Sequence, residues 1–436
     1  MKVCVVGSGG REHALALALG RTADVVVTPG NPGMPGRTPE GFAISVTDAP
    51  ADQVDAELVV VGPEQPLVDG LADRLRADGR LVFGPGAEGA RLEGSKAFMK
   101  DMLAEARVPT ARYGVFDDPA AAKAFLRELP GPWVVKTDGL AAGKGVLVTD
   151  SMKEAEADVA AKLSGSAFGA AGTTVVIEEG MAGPECSLLA LCDGTRVVPL
   201  PVAQDFKRVA DGDEGPNTGG MGAYSPVPIV DDRLVDRVLD EAVEPLVAAL
   251  RRRGIDYRGV LYAGLMLTAD GPKVLEYNVR FGDPETQVVL PRIDDDVTGL
   301  LAEAAAGRLR TDPRASSSAS VCVVLAAEGY PVSPRTGERI EGLTPAGEMP
   351  GVTVLHAGTA LDAEGRFVTA GGRVLGIRAV ADDLATARRR AYDAVPLLHW
   401  RGMTYRTDIA RSAAESHAAD AAGKNRPSDL SMEGTR

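Results

Sequence analysis

Five short stretches carry the side chains most able to do chemistry. In residues 273–287, Glu276, Asn278 and Arg280 stand at every second position, so a strand turns all three to one face and Leu275, Tyr277 and Val279 to the other. A carboxylate and an amide oxygen suit a hard cation such as Mg2+ or Mn2+, and the guanidinium can grip a phosphate or carboxylate through two parallel hydrogen bonds. Alone, the same pattern describes an ordinary half-exposed strand equally well.

Residues 138–145, Asp-Gly-Leu-Ala-Ala-Gly-Lys-Gly, look like a phosphate-binding Walker A loop. They are one residue short of it, carry Gly145 in place of Ser or Thr, and lead into a strand, which excludes a P-loop NTPase. A glycine-rich hairpin of this kind can instead fold over a triphosphate, its amides and the Lys144 ammonium neutralising charge while Lys136 reaches from the preceding strand. A bare surface hairpin is the competing account. Residues 175–179 end in Glu178 and Glu179, and after a glycine-containing bend Glu185 comes within reach of a ribose; solvent-facing glutamates explain these residues as readily.

The loop 215–222, Gly-Pro-Asn-Thr-Gly-Gly-Met-Gly, is dense in amides and small polar groups around Asn217, Thr218 and Gly219, which suits close approach of a substrate or a plain linker. Near the start, Gly7-Ser8-Gly9-Gly10 follows a strand, yet a dinucleotide fingerprint needs glycine where Glu12 stands. The amides of Gly9 and Gly10 can still meet a phosphate at a helix start, as can 62–64; a tight turn without ligand accounts for either loop equally well.

These stretches need a frame. Valine-rich runs at 3–6, 25–27, 58–61 and 81–83, with a helical pattern at 11–19 and Leu67, Leu71 and Leu75 at helical spacing, predict a doubly wound parallel sheet ending near Glu93. A helix follows from Gly94 to about Ala106, and strands at 133–136, 146–148 and 175–178 form a small α+β lid. A long helix at 232–251 precedes a hairpin of 260–268 and 273–278 turning at Asp270-Gly271. Strands at 321–326 and 372–378 with a helix at 383–394 make a further α+β unit, and 412–436 reads as a disordered tail.

With 436 residues, 45% hydrophobic and 25% charged, the chain predicts several ordinary globular domains. Its 61 acidic against 47 basic residues give a net charge of −14, which disfavours nucleic acid. Cys4, Cys186, Cys192 and Cys322 are scattered in apolar runs and read as buried hydrophobes, and His13, His356, His399 and His417 lack metal spacing, so helix-face or surface roles are expected. No apolar run reaches membrane-spanning length, and a cytoplasmic monomer without a membrane partner is the expectation.

The stretches GSGGREHAL, VGPEQPLV, LEGSKAF, KTDGLAAGKGV, GPNTGGMGAYSP, YAGLM, RFGDPETQ, HAGT and GGRVL together resemble the phosphoribosylamine-glycine ligases, or glycinamide ribonucleotide synthetases, over residues 1–409. The resemblance implies an N-terminal doubly wound domain (1–98), an ATP-grasp domain (99–315, lid about 119–190) and a C-terminal α+β domain (320–411). It further implies ATP held by Lys96, Lys136, Gly143, Lys144, Glu178, Glu179, Met181 and Glu185, a metal at Glu276 and Asn278, and glycine and 5-phosphoribosylamine near Gly9, Gly10, Asp205, Asn217, Thr218, Gly219 and Arg280. Lys144, Arg280 and Asp205 would then be the catalytic groups. Phe206 stands where the resemblance leads one to expect histidine, and the strand 260–268 lacks a second acidic metal ligand. The implied chemistry is phosphorylation of glycine by ATP followed by displacement of phosphate by the amine. Another ATP-grasp ligase or carboxylase, a dinucleotide-dependent oxidoreductase and a non-catalytic nucleotide sensor are the rivals; the missing third glycine opposes the second and the Glu276–Asn278 pair the third.

Overall fold

The computed structural model describes residues 1–140, 145–164 and 173–415. Its first unit is a six-stranded sheet in the order Gly36–Arg37, Ala43–Val46, Asp24–Pro29, Lys2–Gly7, Leu58–Val61, Leu81–Phe83, parallel except at the first pair. Val3, Val5, Val59 and Val60 are wholly buried, as a sheet covered on both faces requires. The sequence reading omitted the first two strands in this order, which are short and carry polar or glycine residues. Strand order reverses beside Lys2–Gly7, so a crevice opens at the carboxyl ends of that strand and Leu58–Val61, where the glycine loops sit.

Ser95 separates two helices, Ala87–Gly94, which the sequence reading did not include, and Lys96–Ala106, the helix expected from Gly94. Ala87–Gly94 ends there, and the Ser95 hydroxyl accepts from the Phe98 amide to cap Lys96–Ala106. The long helix is broken, into Asp232–Val238, a wide turn Leu239–Val243 and Glu244–Arg252 with Pro245 near the start of its last piece.

The lid is an antiparallel sheet in the order Tyr113–Phe116, Val175–Glu179, Trp133–Thr137, Val146–Thr149. Helices Pro119–Glu128 and Met152–Leu163 cover it, with Ala122, Leu126 and Val159 in one cluster with Val135 and Ile177 of the sheet. A second antiparallel sheet, Val197–Pro199, Glu185–Asp193, Arg258–Thr268, Gly271–Asn278, forms the floor. Its last two strands are the expected hairpin, but the register slips at Leu275, which is half-buried while Val274 is buried. This bulge corrects the strict alternation expected there: Glu276 and Asn278 still share the half-exposed side, and Tyr277 and Val279 are buried.

The C-terminal sheet runs Gln204–Asp205, Gly222–Ser225, Ala319–Ala326, Arg373–Ala381, Val352–His356, packed on helix Leu384–Ala394. Its first two strands come from within the stretch assigned to the central domain, so residues 204–225 leave the floor and pair with the last unit. The first residues of the expected tail are structured. Residues 411–415 are helical, and Ala414 is buried against the cluster containing Trp400 and Ile409; residues 416–436 lie outside the described part. All four cysteines are buried thiols. No helix among the described residues is long and apolar enough to cross a membrane.

Candidate active site

A cleft of about 690 Å³ opens where all these units meet, a volume suited to a nucleotide-sized ligand. Lys96 and Lys136 line it from the helix and the lid, Glu276, Asn278 and Arg280 from the floor, Asp205, Asn217, Thr218 and Gly219 from the excursion 204–225. Arg11 of the first unit and Tyr330 and Arg373 of the last complete it. Most of the expected site residues are therefore brought together. Lys144 and Gly143 lie outside the described residues.

The lysines are seated by charge. Lys136 and the buried Lys100 both reach Glu178 Oε1, at 2.8 and 3.2 Å. Burial alone would raise the Glu178 carboxyl, but the two ammonium groups outweigh it and hold it below its ordinary range. Burial likewise pushes Lys100 down to about 8, against the pull of Glu178. Glu178 is thus a buried counter-ion for lysines and not the solvent-facing glutamate of the competing account, because a buried carboxylate must be paired. Lys96 Nζ donates to Gly139 O at 2.9 Å, and Asp138 accepts from the Ser95 hydroxyl and the Ala97 amide at 3.2 and 3.1 Å, which ties lid to helix. Glu179 accepts from the Arg112 amide, Met181 is half-buried in the bend, and Glu185 pairs with Lys207 at 2.8 Å. None of these three lines the cleft.

Arg280 differs from expectation in its bonding. Its Nε donates to Glu64 Oε2 at 3.1 Å and an Nη to Glu93 Oε1 at 2.7 Å, so two carboxylates occupy the fork that the sequence reading offered to an anion. Thr218 is also committed: its hydroxyl donates to Lys207 O at 2.8 Å and accepts from the Gly220 amide at 3.0 Å. In the first glycine loop, the Gly9 amide donates to Glu12 Oε2 at 2.6 Å, while a Cβ at Gly7 or Gly62 would lie 2.6 or 2.1 Å from the Glu12 side chain. The glycines make room for that carboxylate, so the Gly9 amide is not free for a phosphate, and Gly10 packs against Gln287 and Ala357. Phe206 stacks beside Tyr224 and under the Arg406 guanidinium, in the margin of the C-terminal core.

Several cleft residues escaped the sequence reading. Glu64, Asp283 and Glu285 were inside recognised stretches but gave no separate signal, Tyr262 was hidden in an apolar strand, and Arg373 and Tyr330 come from a distant unit. Asp205, its carboxylate 2.9 Å from Lys207 Nζ, faces the same space. Among the described residues no group of three His, Cys, Asp or Glu gathers as a metal cage. The donor set fits a divalent cation nonetheless, since Glu276 and Asn278 offer two oxygens and leave the remaining positions to phosphate and water.

A doubly wound first unit, a two-sheet nucleotide clamp with lysines under its lid, and a carboxylate-amide pair on the floor define an ATP-grasp enzyme, a class that uses ATP with a divalent metal. Models of phosphoribosylglycinamide synthetase match as N domain over 1–93, ATP-grasp (A) domain over 94–286 and C domain over 320–412. The chain is 50% identical to a phosphoribosylamine-glycine ligase of Streptomyces coelicolor, with 95% of this chain and 100% of that one covered. With its counterpart from Caulobacter vibrioides the identity is 49%, over 94% and 97% of the two chains. The crystal structure of phosphoribosylamine-glycine ligase from Thermotoga maritima superposes with a TM-score of 0.82 at 36% identity, covering 94% of this chain and 100% of that one. A biotin carboxylase domain from Hydrogenobacter thermophilus, at 18% identity and TM-score 0.69 over 93% and 91% of the chains, shares the fold. The chain belongs to the phosphoribosylglycinamide synthetase family, and it is a ligase.

Proposed function

We propose that this cleft joins glycine to 5-phosphoribosylamine at the expense of ATP, giving glycinamide ribonucleotide, ADP and phosphate in purine biosynthesis. The observation that carries the reading is the convergence of all units, each matched to its counterpart in the family, on one cleft holding Lys96, Lys136, Glu276 and Asn278. A carboxylate resists amine attack because it is anionic and would have to expel oxide, whereas an acyl phosphate has a good leaving group. Glycine therefore attacks the γ-phosphoryl group first. Lys136 and Lys96, with Lys144, neutralise phosphate charge, and Glu276 and Asn278 would hold Mg2+. When bound, that ion would supply positive charge to offset what gathers on the phosphate. Asp205, Asn217 and Gly219 line the same cleft and border the space for glycine and the sugar. Glu179, Met181 and Glu185 stand at the bend from lid to floor, where a nucleoside would enter. The enzyme works as a single chain in the cytoplasm.

The test is one incubation with ATP, Mg2+, glycine and freshly generated phosphoribosylamine, followed for ADP and for product mass. Glycine alone gives little net ADP, and both substrates together give one ADP per amide. Equal turnover with alanine or serine, or no product mass with glycine, overturns the assignment while leaving the fold standing.

A further inference from the structure

Glu285 is 4% exposed, yet its side chain borders the cleft. The Tyr262 hydroxyl donates to Glu285 Oε1 at 3.0 Å, which leaves the tyrosine oxygen to accept from Ser187 Oγ at 2.8 Å. A buried chain of hydroxyls thus ends on one carboxylate oxygen and fixes its direction. The charged groups around it are already committed. Lys207, from the excursion strand, pairs with Asp205 and Glu185. Arg280, on the turn before, is gripped by Glu64 and Glu93, and Arg373, from the last unit, by Asp283 at 3.0 Å. Among the described residues no cation lies within ion-pair distance of Glu285, in contrast to Asp205.

We propose that Glu285 accepts the proton that the amine of phosphoribosylamine sheds as it attacks activated glycine, and that Tyr262 positions it for this. The inference rests on the ligation proposed above. The amine lone pair forms the C–N bond at the glycyl carbonyl, whose π electrons move onto oxygen. One N–H proton passes to a Glu285 carboxylate oxygen, the oxyanion collapses, and the C–O bond to phosphate breaks with its electron pair leaving on phosphate. Glu285 then returns the proton to phosphate or solvent. Burial, reinforced by the charge of Asp205 and opposed by Lys207 and the Tyr262 hydrogen bond, lifts this carboxyl to about 7. A group at that value is ionised often enough to receive a proton at neutral pH and basic enough to keep it, whereas it makes a poor permanent partner for the glycine ammonium.

Two variants and two products separate the roles. Glycyl hydroxamate, formed from ATP, glycine and hydroxylamine in place of phosphoribosylamine, reports activation, and glycinamide ribonucleotide reports the amine step, each measured from pH 5.5 to 9. In Glu285→Gln, hydroxamate stays within about threefold of wild type while ribonucleotide formation falls on the order of 10²-fold and loses its acid limb near pH 7. In Tyr262→Phe the limb persists but moves to higher pH, because the carboxylate has lost a donor. The proposal is overturned if Glu285→Gln makes ribonucleotide at the wild-type rate, or if both products fall together with a raised KM for glycine, which marks a substrate ligand. Should Glu285→Gln not fold, an unmoved limb in Tyr262→Phe overturns it. Failure of the wild-type chain to give either product counts instead against the ligation itself.

Discussion

At the level of single residues, the cleft contains few bare charges: most are matched by an opposite charge before any ligand arrives. Glu178 shows what this demands. With Lys100 wholly buried and Glu178 2% exposed, Glu178→Gln leaves two ammonium groups without their counter-ion. The expected loss of stability is about 3–5 kcal/mol, read from urea unfolding, and a change below about 1 kcal/mol contradicts the pairing. Glu276 is the opposite case. It is half-exposed and no packing depends on its charge, so Glu276→Gln is expected to lower turnover on the order of 10²-fold while the melting temperature stays nearly constant. Near-normal ADP production at ordinary Mg2+ removes Glu276 from the metal assignment.

At the level of elements, the decisive feature is the excursion 204–225, which starts on the floor, borders the cleft and joins the C-terminal sheet. Two groups of the last unit pin its turn: the Tyr330 hydroxyl accepts from the Gly219 amide at 2.9 Å, and Arg373 donates to Gly219 O and to Asp283 O, the latter at 2.7 Å. A Cβ at Gly219 would lie 3.1 Å from the Arg373 guanidinium carbon, so a larger residue there displaces the arginine. Tyr330→Phe deletes one oxygen and leaves the ring. It is expected to raise the KM of glycine or phosphoribosylamine about three- to tenfold, as loss of one hydrogen bond worth about 1 kcal/mol would, with the KM of ATP unchanged. Equal effects on all three substrates point to a general loosening instead.

At the level of the whole molecule, first and last units are joined by histidines. The His356 amide donates to His13 Nδ1 at 2.9 Å, and Asn31 donates to Ser8 O and His356 O at 2.8 and 3.1 Å. His13 lies on a helix, as the sequence reading allowed, but neither it nor His356 is at the surface; both are buried. Burial, with the neighbouring His356 and Arg378, lowers His13 to about 3, and burial lowers His356 to about 4. The unfolded chain binds these protons below its ordinary 6.5 and the folded chain does not, so stability is lost as pH falls from 6.5 toward 4. Each histidine contributes up to about 1.4 kcal/mol per pH unit. His13→Asn keeps an acceptor in place of Nδ1 and has no proton to gain; its melting temperature is expected to fall less between pH 7 and 5 than that of wild type. Identical slopes exclude His13 as a source of the acid sensitivity.

How much of this was legible in the sequence follows from the range of the forces involved. Valine runs, glycine turns and the Glu276–Asn278 alternation are local, and period and turn chemistry placed the central strands of the parallel sheet, the lid strands other than Tyr113–Phe116, and the floor hairpin. Lys136, Glu276, Asn278 and Asn217, which line the cleft, stood out because each sits in a stretch whose composition is itself unusual, whereas Lys96 and Asp205 were named only through the family resemblance. Other features depend on partners far along the chain. Glu93 meets Arg280 across 187 positions, Gly219 meets Arg373 across 154, and the His356 amide meets His13 across 343. Whether Arg280 offers its fork to a ligand or to Glu64 and Glu93, and whether Glu178 faces solvent or two lysines, is decided by desolvation and pairing, and these exist only once distant segments have packed. Residue types and local periods thus determined the class of chemistry and most of the elements; the tertiary structure alone decided which charges pair with one another and which, as at Glu276 and Glu285, have no ion-pair partner among the described residues.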